Sequence, residues 1–240
     1  MSMETAGIAV QAPVRYPRVA APLHTALVLL ASGAWALRGI LNVDQARAVV
    51  HPNHIAMYGR TMLFEWLLFG FVLLGVRLHG TSLLAILGER WNSILQVLRD
   101  IGIALVFLVV SIAIESILGS HLHVGGPDPV VQFLLPHGGP ETAMWMALSL
   151  TAGICEETLF RGYLQKQFMA LTHSAPLGIV LSAAMFGLAH GYQGLSRALQ
   201  IGVLGVMYGI LTQWRRSVRP GMISHTLQDV LGAFAGSIRH

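Results

Sequence analysis

An all-α, polytopic transmembrane helical bundle of about seven spanning segments, six to eight, is the fold class this sequence predicts. Three observations carry that expectation. Hydrophobic residues make up 54% of the 240 and charged residues only 11%, where a soluble domain averages about 25% charged. Apolar runs near the length that crosses a bilayer, about 20 residues, recur along the chain. The basic residues behind the formal charge of +4 are scattered singly between those runs. They form no basic stripe with interleaved aromatics, so no nucleic-acid partner is expected and the arginines read as a topology signal. Cys155 is the single cysteine, which excludes an intrachain disulfide and a Cys-based zinc site.

Taken in chain order, Leu23–Leu41, Thr61–Leu78 and Ile101–Leu118 meet the length and apolarity of a span. The small residues of "ASGAWA" suggest a signal-peptide cleavage site, but the apolar run continues past them, so the first span is expected to stay as an anchor. Between the second and third spans, "TSLLAILGERWNSILQVLRD" places Leu84, Leu87, Trp91, Leu95 and Leu98 at helical spacing. That pattern suits either a helix lying in the membrane interface or a short helical hairpin. Gly119–Glu141, rich in Gly, Pro and His, is the longest irregular connection. Its "HLH", His121 and His123, is read as solvated. Ala143–Leu164 is long enough to span but holds two glutamates, and Ala198–Trp214 fits at the short end. Leu177–His190 and Met222–Phe234 are shorter and are expected to tilt, extend or lie among other helices.

Orientation follows from Lys and Arg. With the N-terminus inside, inner segments hold Arg15, Arg18, Arg77, Arg90, Arg99, Arg161, Lys166, Arg215, Arg216 and Arg219; outer segments hold Arg38, Arg47, Arg60, Arg197 and Arg239. Ten against five favours a cytoplasmic N-terminus.

The informative residues are polar ones in apolar surroundings. A charge at mid-span costs about 2.5–3.5 kcal/mol, so Glu156 and Glu157 together cost roughly 5 kcal/mol unless protonated, paired or solvated. Glu157 and Arg161 are four apart and pair on one helix face. Glu156 is turned about 100° away and is left free for another role. "FGLAH" puts Phe186 one turn before His190, and "HTLQD" puts His225 one turn before Asp229, where the carboxylate can orient the imidazole or share a ligand with it. Glu65 and Glu115, also inside spans, are read as helix-packing or snorkelling residues, and Cys155 as a small packing residue.

In order, Glu156-Glu157-x-x-x-Arg161, Phe186-x-x-x-His190 and His225-x-x-x-Asp229 resemble the three motifs of the CPBP family, the type II CAAX prenyl endopeptidases and bacteriocin-processing (Abi) intramembrane proteases. The likeness covers roughly residues 143–235. It implies a helical membrane endopeptidase with a water-filled cavity opening to the cytoplasm, expected in a bacterial cytoplasmic membrane. By resemblance, Glu156 is the catalytic glutamate and works with His190 to activate water. His225 and the residue four later stabilise the oxyanion, and Glu157, Arg161 and Phe186 support the site. The third motif usually ends in asparagine, and here it ends in Asp229. An ionised carboxylate cannot donate to an oxyanion, so Asp229 is protonated, orients His225 or assists a metal.

The resemblance also divides the chain: a cytoplasmic tail over 1–22, N-terminal transmembrane helices with the interfacial helix and polar loop over 23–141, and a CPBP-like catalytic domain over 142–236. Its partners are a peptide or protein substrate, prenylated or not, in or at the membrane, and the lipid bilayer. Members are often labelled metalloproteases, and a metal-free glutamate mechanism has also been argued. Glu156, His190 and His225 would suit a zinc ion with one open position for water. Two other readings share these residues. One is a non-catalytic scaffold, as in bacteriocin immunity. The other is a proton-coupled transporter, which usually carries inverted repeats that this chain lacks.

Overall fold

A computed structural model describes residues 16–49, 52–122 and 129–237. Residues 1–15 of the expected tail, His123 and Arg239 lie outside the described residues. No strand occurs among the described residues. The first helix, α1 (Pro22–Arg47), starts on a proline, whose missing N–H costs nothing in the first turn. Asn53 caps α2 (His54–Leu78) by accepting from the Ala56 N–H.

The "TSLLAILGERWNSILQVLRD" stretch is not one continuous helix. A short α3 (Leu83–Leu87) ends at Gly88, whose φ is +93°. A Cβ at Gly88 would lie 2.7 Å from the Arg216 carbonyl, so both backbone conformation and space demand glycine there. A new helix, α4 (Ile94–His121), then starts at the Ser93 cap and runs through the third apolar segment. Its end carries His121, which is exposed. The Gly119–Glu141 connection contains a short α5 (Pro129–Leu134).

The Glu-Glu segment is a helix in three parts: α6 (Gly139–Glu156), a π-helical stretch over Glu157–Leu164, and α7 (Gln165–Thr172). The regular α-helical winding expected there is therefore corrected. Two hydroxyls occupy carbonyls of this region: Thr158 Oγ1 donates to Ile154 O at 2.7 Å and Ser182 Oγ to Phe160 O at 2.6 Å. Side-chain donors of this kind compete with the helical ladder, and π turns are rare and concentrate at functional sites. His173, at φ 54°, ends α7 in the left-handed conformation. Three more helices follow: α8 (Ala175–Ala189), α9 (Leu195–Arg215) and α10 (Arg219–Ser237).

Among the described residues, α1, α2, α4 and α9 are long and apolar enough to cross a membrane. The fifteen residues of α8 span about 22 Å, short of the roughly 30 Å hydrocarbon core. The chain thus reads as an integral membrane protein, with four helices meeting that measure where about seven were expected.

Small residues set how closely the helices approach, as in membrane bundles generally. A Cβ on Gly205 of α9 would sit 3.0 Å from Ala183 Cα of α8, and one on Gly153 of α6 would sit 2.8 Å from the Met222 carbonyl of α10. The main buried cluster unites both halves of the chain: Val28, Val72 and Val76 pack with Phe160, Tyr163, Leu164 and Phe186. Gln167 secures the entering strand of chain, accepting from the Val19 N–H at 2.8 Å and donating to the Ala20 carbonyl at 3.0 Å.

Candidate active site

Close packing at Gly153 holds α6 and the π stretch against α10, and this brings the first and third motifs together. Arg161 donates to Glu157 Oε1 at 2.8 Å, both side chains being 1% exposed or less. The same oxygen lies 3.0 Å from His225 Nδ1. A carboxylate oxygen only accepts, so Nδ1 carries a proton and the ring's orientation is fixed by Glu157. The guanidinium carbon of Arg161 sits 4.2 Å over the Phe186 ring and 5.1 Å from that of Tyr208. Phe186 in turn stands edge-on to His190 at 4.8 Å and to His225 at 5.9 Å. It is the wedge between the buried arginine and the two imidazoles.

Glu156 points elsewhere. With Glu157 turned to Arg161, Glu156 faces a cavity of about 450 Å³ that His190, His225 and Asp229 also line. Its Oε2 lies 3.7 Å from His225 Nε2, and Asp229 Oδ2 lies 3.8 Å from the same nitrogen. His190 terminates α8, where its Nδ1 is 2.9 Å from the Phe186 carbonyl. A carbonyl cannot donate, so Nδ1 is the protonated nitrogen and Nε2 keeps a lone pair. The Glu156 carboxylate and the His190 ring thus face one cavity, with the His225 ring beside them.

Residues 138–231 match the family model for Rce1-like, type II CAAX prenyl endopeptidases. Over these residues the chain is similar to that family. The family carries CAAX-type membrane protease activity, with peptide substrates at the membrane. No curated protein and no solved structure matches the chain.

The Rce1-like segment does not build the cavity alone. Glu65 of α2 and Glu115 of α4 line it too, whereas both were expected to be helix-packing or snorkelling residues. Glu115 Oε2 accepts from Gln228 Nε2 at 2.8 Å, and Gln228 Oε1 accepts from Tyr208 O–H at 3.0 Å. Gln228 sits inside "HTLQD" and Tyr208 on α9, and neither had a sequence signal beyond being polar in an apolar helix. Cys155 is buried beside the Rce1-like site and unpaired, as a packing residue should be. Among the described residues no group of three His, Cys, Asp or Glu side chains is arranged to hold a metal ion. Glu156, His190 and His225 thus share a cavity without forming a ligand set.

Proposed function

We propose that the chain is an intramembrane endopeptidase that hydrolyses a peptide bond of a membrane-associated substrate with a water activated by Glu156 and His190. One observation carries the reading: the motif side chains of three separate helices line one cavity, in a segment of Rce1-like family. Glu156 takes a proton from the water as general base while His190 Nε2 accepts the other hydrogen bond. The hydroxide adds to the substrate carbonyl, and the Glu156 proton passes to the leaving amine. His225 donates from Nε2 to the oxyanion. Both nitrogens of that ring face carboxylates, the arrangement that suits an imidazolium donating from each. Asp229 then balances and orients His225 in place of donating itself, which accounts for an acid where the family usually has asparagine.

The same reading has α1, α2, α4, the α6–π–α7 helix, α8, α9 and α10 as seven embedded segments. It keeps the N-terminus and the cavity mouth cytoplasmic, as the arginine distribution favours. The division at 142 marks the catalytic part, with the earlier helices closing its cavity.

The test is cleavage of reconstituted substrate peptides, one prenylated at a CAAX terminus and one not. Glu156→Gln and His190→Ala are each expected to lower kcat about 100-fold or more. Asp229→Asn is expected to retain cleavage and Asp229→Ala to lose it. Cleavage is expected to survive removal of divalent metal. Full activity in both Glu156→Gln and His190→Ala overturns the proposal.

A further inference from the structure

The hydrolysis above leaves two cavity acids unused, Glu115 and Glu65. Glu65 lies near the middle of α2, about 16 Å from its first residue and about 20 Å from its last. It belongs to the cavity-facing stripe Tyr58, Thr61, Glu65 and Leu68. Its Oε2 is buried and has no hydrogen-bond partner, and no ion pair joins Glu65 to another side chain among the described residues. Glu65 lies within electrostatic reach of Glu156, His225 and Asp229 but forms no ion pair with them, whereas the other cavity acids have closer contacts. Asp229 and Glu156 lie by His225, and Glu115 accepts from Gln228. Of the chain's own cations near this space, Arg161 bonds Glu157 and Arg197 bonds Gln200, each at 2.8 Å, and Arg38 lies over the Trp35 ring at 5.3 Å.

Aromatic side chains line the same cavity. Trp35 and Phe64 stack at 4.1 Å, Tyr58 stands edge-on to Trp145 at 5.5 Å, and all four line the cavity. A pocket for a purely aliphatic chain has no use for an unpaired carboxylate. A carboxylate among aromatic faces is the chemistry that receives an ammonium or guanidinium group.

We propose that Glu65 is a specificity residue that receives the cationic side chain of a lysine or arginine on the substrate, close to the bond that is cut. This rests on the endopeptidase reading and names its substrate class. The basic side chain replaces its hydration shell with the Glu65 carboxylate and the aromatic lining of the cavity, and Glu65 gains a direct ion-pair partner.

The experiment compares kcat/KM of the full-length reconstituted protein on peptides that differ only in carrying arginine, norleucine or glutamate at each position within three residues of the cleaved bond. At one of those positions the arginine peptide is expected to exceed the norleucine peptide by about tenfold or more. Glu65→Gln should collapse that ratio toward one, Glu65→Asp should keep it, and Glu65→Lys should turn the preference toward glutamate. Because the ratio is taken within each variant, a general loss of activity cancels. A second measurement needs no variant: an uncleavable arginine peptide should inhibit wild-type cleavage of the norleucine peptide about tenfold more strongly than its norleucine counterpart. An equal rate on all three wild-type peptides, or a preference that survives Glu65→Gln, overturns the role of Glu65 and leaves the endopeptidase reading standing. Absence of wild-type cleavage on every peptide overturns both.

Discussion

Replacing Arg161 with methionine tests the physical keystone of the site. The change keeps an unbranched side chain under Phe186 and removes only the charge and its donors. In the native protein the guanidinium is 1% exposed, bonds Glu157 Oε1 at 2.8 Å and reaches the Gly205 carbonyl at 3.4 Å. Arg161→Met leaves Glu157, 0% exposed, with His225 as its one remaining charged neighbour. Stranding one member of a buried pair costs about 3–5 kcal/mol. For a chain of this length that lowers Tm by about 6–20 °C. The double variant Glu157→Gln/Arg161→Met removes the stranded charge while its amide oxygen still accepts from His225, so it should recover about 2 kcal/mol of the loss. Thermal unfolding in detergent, followed by a thiol-reactive dye at the buried, solitary Cys155, reads all three proteins. A single variant within about 1 kcal/mol of wild type would mean that the pair behaves like an exposed one. A double variant no more stable than the single would show that stranded charge is not the source of the loss. Either result refutes the reasoning.

Two further outcomes follow from packing and from charge. Gly153→Ala forces α10 away, since the added methyl meets the Met222 carbonyl at 2.8 Å. It should lower kcat/KM about tenfold or more by moving His225. Gly70→Ala, where a Cβ meets nothing within 4 Å, should be silent in the same assay. Outside the membrane segments, desolvation pushes the Glu141 carboxyl up, but the His137 N–H and the His54 imidazole outweigh it and hold the carboxyl below its ordinary value. A carboxyl so depressed stabilises the fold above its unfolded pKa of about 4.3, and that share is lost as pH falls through the lower folded value. Thermal melts from pH 7 down to 3 should therefore decline more steeply for wild type than for Glu141→Gln, and parallel curves would refute it.

The legible parts of the site were those whose geometry is local. Glu157 and Arg161 pair because four residues make one turn, and they remain close through the π stretch. His225 and Asp229 share a helix face for the same reason, although they end 3.8 Å apart rather than hydrogen-bonded. The break in this stretch, expected as either an interfacial helix or a short helical hairpin, was written only faintly, as Gly88 ahead of the Ser93 cap, because it also needed Arg216 to crowd that glycine from across the fold. The π stretch has one carbonyl bonded by Ser182, which lies on another helix. Glu65 and Glu115 were misread because a helix apolar on every face gives no sign of which side meets the cavity.

By itself the sequence determined a membrane-embedded helical chain, the order of its helices, and the three motifs that its local spacing makes into pairs. Periodicity and apolarity act within one segment, so a single segment suffices to read them. Only the tertiary structure decided which acids face the shared cavity, which histidine Glu157 holds, and that the N-terminal helices complete the walls. Those outcomes depend on helix rotation and approach, set by contacts such as Gly153 against α10, and such contacts join residues that no local pattern connects.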